Sequence, residues 1–358
     1  MSSTRNYFAL GHTARGFHSL YGSAFHETQR LYILEGGYGA GKSHWMHKLA
    51  TAVQERGEPV ELFHSPLNPG SVDGIIINGG KTGVVDGSAY RGAAITAPGV
   101  REIYVNLWPA LQTSDLTAYK KDISELNAGI TEGYEQAFDI FAEALSVHDQ
   151  WEKFYIQNMD FKKADQVADN LADAWFTGHK KNKPSHVRRR FFGAATPDGA
   201  VDHIQSLTQE VNKRYFLKGR PGSGKSTMLK KLSASAQSLG IDVDVFHCGF
   251  DPNSLDMLIF PELSIAVFDS TAPHEYFPHR SSDEIVDLYE LLIAPGTDEK
   301  HQAQLKEIRQ VYSAKMKAAT ACLRKVREYN QQLKSIYVNH TDYQAVEHIT
   351  SQLEQRIL

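Results

Sequence analysis

The sequence predicts an α/β protein of two tandem units, each a parallel sheet covered by helices and followed by a helical extension. Three observations predict it. A Gly-rich run ending in Gly-Lys-Ser occurs twice, as Gly36-Gly-Tyr-Gly39-Ala40-Gly41-Lys42-Ser43-His44 and as Gly219-Arg-Pro-Gly222-Ser223-Gly224-Lys225-Ser226-Thr227. Each run follows a short apolar strand and opens a helical pattern, and strands alternating with helices at these lengths argue a covered parallel sheet. Finally, the offset of 183 residues that takes Lys42 to Lys225 also takes Thr13, Gly16, Tyr32, His64, Pro69, Ser71, Asp73 and Asp86 onto Thr196, Gly199, Tyr215, His247, Pro252, Ser254, Asp256 and Asp269. A duplication explains such a register, and repeats are sought before folds are argued.

The elements follow in the same order in both units. Leu31–Glu35 and Tyr215–Lys218 read as the first strands, feeding the glycine runs. The helices that follow carry Trp45, Met46, Leu49 and Val53, and Met228, Leu229 and Leu232, near helical spacing. Gly57 and Gly240 stand where a helix C-terminal glycine belongs. Second strands are Val60–His64 and Val243–His247, followed by a Pro/Asn/Gly loop, an apolar stretch (Ile75–Ile77; Leu258–Phe260) and third strands at Thr82–Asp86 and Ile265–Asp269. Beyond them, residues 115–176 and 298–358 are rich in charge and amides, with Ile123, Leu126, Ile130, Tyr134, Phe138, Phe141 and Leu145 stepping by three or four along one helix face. Here the offset drops to 181 or 182, and Tyr155 to Asp160 echoes Tyr337 to Asp342. Such tails are amphipathic helices packed on the core or on each other, or else an arm that binds a protein partner. The expected division is unit one at 1–177, a basic linker at 178–190 and unit two at 191–358. Lys180 to Arg190 reads as solvated linker, with a phosphate-binding patch as the competing reading.

GxxxxGK[ST] between a strand and a helix is a phosphate-binding P-loop, which places the chain among P-loop NTPase-like folds. Glycines let backbone N–H groups close around phosphate oxygens, and the helix start adds the positive end of its dipole. Lys42 and Lys225 would reach the β- and γ-phosphates, and the hydroxyls of Ser43 and Ser226 would hold Mg²⁺. Asp86 and Asp269, each 44 residues after its lysine at the end of an apolar strand, are the expected second magnesium anchors.

Many P-loop motor ATPases place a Glu after that Asp to polarise the attacking water, but Gly87 and Ser270 stand there. Water activation must come from elsewhere. The candidates are His247, Asp251, Asp256, Glu262 and His274, with Lys225. An acid–base role requires one of them within hydrogen-bond reach of the nucleophile; the competing reading makes them loop caps and Asx-turns. Unit one has Asn68, Gly79, His44 and Arg91 where unit two has Asp251, Glu262, Thr227 and His274, which points to unit two as the site of turnover. Arg15, Arg91, Arg101, Arg220 and Arg280 are candidates for a charge-stabilising finger, against simple surface solvation.

With both P-loops and the His247-Cys-Gly-Phe-Asp251-Pro-Asn-Ser-Leu-Asp256 and Phe268-Asp-Ser-Thr-Ala-Pro-His274 runs in view, the chain resembles a bacterial family of tandem P-loop proteins. That family is best represented in spore-forming Gram-positive bacteria and is described as predicted ATPases or nucleotide kinases. The resemblance covers nearly the whole chain. Unit one departs from it at Ser88-Ala-Tyr-Arg91 and lacks the Pro and final Thr of the second loop.

Composition sets the remaining bounds. With 41% apolar and 22% charged residues and no apolar run near the ~18 residues of a membrane span, the chain reads as globular and cytoplasmic. Met1-Ser-Ser-Thr-Arg-Asn lacks the pattern of a signal peptide. Cys248 and Cys322 are too few for a disulfide framework or thiolate zinc site. The formal charge of −4 lacks the basic footprint of a nucleic-acid binder. The expected function is Mg²⁺-dependent ATP binding at two sites, with hydrolysis mainly at the second. A kinase with Asp251 or Asp256 as base, and a sensor that binds nucleotide without turnover, are the alternatives. A guanine-reading Asn-Lys-x-Asp is absent, which leaves ATP as the expected nucleotide.

Overall fold

The computed structural model describes residues 4–90 and 94–358, so Arg91 lies outside the described residues. In the first half, strands β1 (Thr4–Tyr7), β2 (Leu10–Thr13), β3 (Gly16–Ser19) and β4 (Arg30–Glu35) precede helix α1 (Lys42–Glu55). Strands β5 (Val60–His64), β6 (Val72–Ile77), β7 (Thr82–Asp86) and β8 (Glu102–Asn106) follow, then helices α2 (Lys120–Ile156) and α3 (Phe161–Phe176). The second half repeats this with β9 (Val187–Phe191), β10 (Gly193–Thr196), β11 (Gly199–Asp202), β12 (Lys213–Lys218), α4 (Lys225–Ser238), β13 (Val243–His247), β14 (Leu255–Phe260), β15 (Ile265–Asp269) and β16 (Asp283–Asp287), then α5 (Gln302–Val338) and α6 (Tyr343–Ile357).

Each half holds a six-stranded sheet, in the orders β1-β5-β6-β7-β4-β8 and β16-β12-β15-β14-β13-β9. The sheets are mixed, not parallel throughout: β6 and β14 run antiparallel to both neighbours. The reason is connection length. Only Asn78 to Lys81 separate β6 from β7, and Pro261 to Ser264 separate β14 from β15, whereas a parallel crossover needs a dozen residues or more. Asn78, Gly79 and Gly80 all take positive φ to make the first of these turns.

The basic run is not linker throughout. Val187–Phe191 is the edge strand β9, paired parallel to β13. Arg188 binds Asp244 at 2.7 Å, and Arg190 is buried, with Nη2 2.7 Å from Glu61 of the first half and its guanidinium 4.3 Å from the Tyr7 ring centroid.

One face of both sheets contributes to a shared core that includes Tyr7, Phe25, Phe63, Phe216, Phe246 and Phe268. The other faces are covered separately, and by exchange. α3 of the first half packs Ala168, Trp175 and Phe176 against Leu229 and Leu232 of α4 and the second sheet. α6 of the second half packs Leu353 and Ile357 with Met46 and Leu49 of α1 and the first sheet. α2 and α5 carry the exchange. They lie antiparallel, with Gly133 against Val326, and Ala137 and Phe141 clustered with Ala319 and Leu323. At 37 residues each they are about 55 Å long. Main-chain bonds fix both crossings: Asp160 N–H to Leu292 O at 2.9 Å, and Asp342 N–H to Ala110 O at 2.7 Å. No helix among the described residues is long and apolar enough to cross a membrane.

Candidate functional site

The register of the sheets builds each site before any side chain is considered. β4 pairs with β7 so that Leu34 lies opposite Asp86, and β12 pairs with β15 so that Leu217 lies opposite Asp269. Each aspartate therefore stands beside the start of its glycine loop. Gly41 and Gly224 cap the following helices at φ 74° and 87°, a left-handed conformation that favours glycine. The first N–H groups of α1 and α4 are left free to face an anion there.

The side chains then fall into matching places. Lys42 Nζ donates to Gly36 O at 2.7 Å and lies 3.1 Å from Asp86 Oδ1. Lys225 Nζ donates to Arg220 O at 3.0 Å and lies 3.6 Å from Asp269 Oδ2. Ser43 Oγ accepts the Val72 N–H at 3.0 Å, and Ser226 Oγ accepts the Leu255 N–H at 2.9 Å. Those bonds draw the first residues of β6 and β14 to the loops, bringing Asp73 and Asp256 with them. Burial first, and then the neighbouring Asp86 charge, push Asp73 up to about 7. Asp256 is raised for the same two reasons, with Asp269 as its neighbour. Two carboxylates that resist sharing their negative charge, beside a serine hydroxyl, are a hard-oxygen donor set suited to a divalent cation such as Mg²⁺.

Other predicted residues separate. Asp251 is held by Arg15 of the first half at 2.7 Å and accepts the Asn253 N–H, an Asx-turn arrangement. Glu262 lies beyond the far end of β14, at the opposite end of the sheet from the glycine loop, bonded to Asp242 N–H at 2.9 Å and to Lys183. His274 Nδ1 meets Asp202 Oδ2 at 2.8 Å. His247 bonds through both ring nitrogens, to Pro252 O and Arg189. Arg220 pairs with Asp298, Arg101 with Glu102, and Arg280 binds main-chain oxygens of residues 208, 209 and 211. Thr227 and His44 are exposed at their helix starts, while the Ser223 hydroxyl is buried without a hydrogen-bond partner.

What sequence reasoning missed comes from the opposite half. A Cβ on Gly39 would lie 3.1 Å from Val338 N, and one on Gly222 would lie 2.6 Å from Glu152 O. The last turns of α5 and α2 thus sit on the first and second loops respectively. Around the first loop is a cavity of about 1040 Å³, lined by Gly36–Trp45, Glu35 and Trp108 of the first half and by Lys334, Tyr337 and Tyr343 of the second. The Tyr343 hydroxyl donates to Gly39 O at 2.8 Å. At the second loop, α2 brings His148, Asp149 and Glu152, whose donor atoms lie within 4.8 Å of one another and could hold a cation. Burial and then Asp149 raise Glu152. Only the echo between Tyr155–Asp160 and Tyr337–Asp342 hinted that these helix ends share a task.

Compared with protein-family models, curated proteins and solved structures, the chain finds no match in any of the three.

Proposed function

We propose that the chain is a Mg²⁺-dependent, ATP-binding P-loop protein with two nucleotide sites, and that it hydrolyses ATP. One observation carries the reading: in both halves a lysine, a serine and an aspartate converge on a glycine loop at a strand-to-helix junction. A P-loop uses these groups for phosphate and cation. Bound Mg²⁺ would supply charge neutralisation at the terminal phosphates, with Ser43, Asp86 and Asp73, or Ser226, Asp269 and Asp256, as its holders. The cavity at the first loop has room for a nucleotide.

Phosphoryl transfer to a small acceptor draws less support, because Asp251, one of its two expected bases, is paired with Arg15, and the other, Asp256, stands beside Asp269 among the residues assigned here to the cation. The test is binding of ATP with Mg²⁺, by calorimetry, to wild type, Lys42→Ala, Lys225→Ala and the double variant. Two sites in wild type, one in each single variant and none in the double is the expected pattern. Wild-type stoichiometry in the double variant would sink the reading.

A further inference from the structure

We propose that Glu35 is the general base for ATP hydrolysis at the first site, so that turnover belongs to the first half and not the second. The inference rests on the ATP-hydrolysing reading above. Position 87, directly after Asp86, is where a water-polarising glutamate would be expected, and it is glycine. The space its side chain would fill is not empty. A Cβ built on Gly87 would lie 2.8 Å from Glu35 Cδ and 3.2 Å from Glu35 Oε2, with Oε1 closer still. A carboxylate therefore stands over Gly87, supplied by the end of the neighbouring strand β4.

Three further observations agree. Glu35 lines the cavity around the first loop. Its carboxylate makes no hydrogen bond or ion pair with any described residue. Lys42, which lies 3.1 Å from Asp86, lines the same cavity.

The second half lacks the device. Lys218 stands at the position of Glu35, and its ammonium is bonded to the carbonyls of Ser270 and Tyr276 at 2.7 and 2.8 Å. An ammonium so engaged has no lone pair to offer.

In the step assigned to Glu35, the oxygen of a water bonds to the terminal phosphorus as the bond from that phosphorus to the bridging oxygen breaks. The nucleoside diphosphate leaves with the electron pair, and the water proton passes to the Glu35 carboxylate. A base in this role contributes typically 10²–10⁴-fold.

The test measures Mg²⁺-ATP binding by calorimetry and phosphate release on wild type, Glu35→Gln, and the double variant Glu35→Gly/Gly87→Glu, which supplies a carboxylate from the residue after β7 in place of the one removed from the end of β4. We expect Glu35→Gln to bind ATP within about threefold of wild type while losing roughly 100-fold or more of turnover, and the double variant to recover at least tenfold of that loss. Turnover of Glu35→Gln within threefold of wild type, or equal loss of binding and turnover with no recovery in the double variant, overturns the role of Glu35 alone. Wild type that binds no ATP overturns the underlying reading; wild type that binds without releasing phosphate removes the hydrolytic step and Glu35 with it.

Discussion

Phe8 and Phe191, which occupy equivalent positions in the two halves, exchange both main-chain hydrogen bonds, Phe8 N–H to Phe191 O at 3.0 Å and Phe191 N–H to Phe8 O at 2.9 Å. A residue can pair reciprocally with its own counterpart only where a local twofold axis passes between them. Tyr7 with Arg190 and His12 with Ala195, each pair also 183 residues apart, lie against one another along the same line. The edges of the two sheets are thereby joined at the axis.

Arg190 should be the most sensitive charge at this junction. It is buried, paired with Glu61 at 2.7 Å, and its Nε and Nη1 lack partners. Removing Arg190 takes away its contact with the Tyr7 ring and leaves the partly exposed Glu61 without its partner, which costs about 1–3 kcal/mol. Arg190→Ala should lower the urea midpoint accordingly, and Arg190→Met combined with Glu61→Gln should recover much of the loss. An unchanged midpoint in Arg190→Ala would contradict the pairing.

The exchanged helices make a prediction about distance in sequence. Leu353 is buried against the first half although it lies at the far end of the second. Leu353→Ala should cost about 2–5 kcal/mol. By hydrogen exchange, the loss of protection should appear in α1, with α4 unaffected. Loss confined to α4 would mean that the tail covers its own half.

Asp73 should couple cation binding to protons. Its folded pKa of about 7 lies above the ordinary 3.8, so the folded state holds a proton that the unfolded state releases across that interval. Wild type therefore loses stability from this group as pH rises from 3.8 to 7, and Asp73→Asn should gain on it over the same range. A cation needs the ionised form, so Mg²⁺ should release a proton below pH 7 and bind more tightly as pH rises toward 7. Calorimetry in buffers of different ionisation enthalpy measures that proton; its absence in wild type would remove Asp73 from the cation site.

His12 acts with the opposite sign. Burial pushes it down to about 4 from 6.5, against the bond to Ala195 O. The unfolded state takes up a proton in that window and the folded state does not, so wild type loses stability from this group as pH falls from 6.5 to 4. His12→Gln should gain on wild type as pH falls through the window, read from urea midpoints at each pH. A pH-independent difference would show that the ring is not kept neutral by the fold.

The local devices were legible in the sequence. The glycine loops, Lys42, Ser43 and Asp86, and strands such as Val60–His64 and Thr82–Asp86 follow from motifs and apolar runs whose meaning is contained within a few residues. The antiparallel course of β6 was not foreseen, because alternating strands and helices argued a parallel sheet, although Asn78 to Lys81 is too short for a parallel crossover. Neither was β9. Its Arg188 and Arg190 read as a solvated charge block because the groups that neutralise them, Asp244 and Glu61, are 56 and 129 residues away. Nor was the exchange of tails: periodicity says which face of α2 is apolar but not which half it will cover. Glu35 escaped notice because its relation to Gly87 exists only through the pairing of β4 with β7.

The exchanged tails also bear on how such a chain could have arisen. A fragment of residues 1–177 would own a glycine loop and a sheet, yet its last two helices are shaped to lie on a neighbour's. Two such fragments facing each other across the axis would satisfy one another completely. The single polypeptide thus has the geometry of a fused homodimer, one whose halves now differ where Glu35 stands in the first and Lys218 in the second.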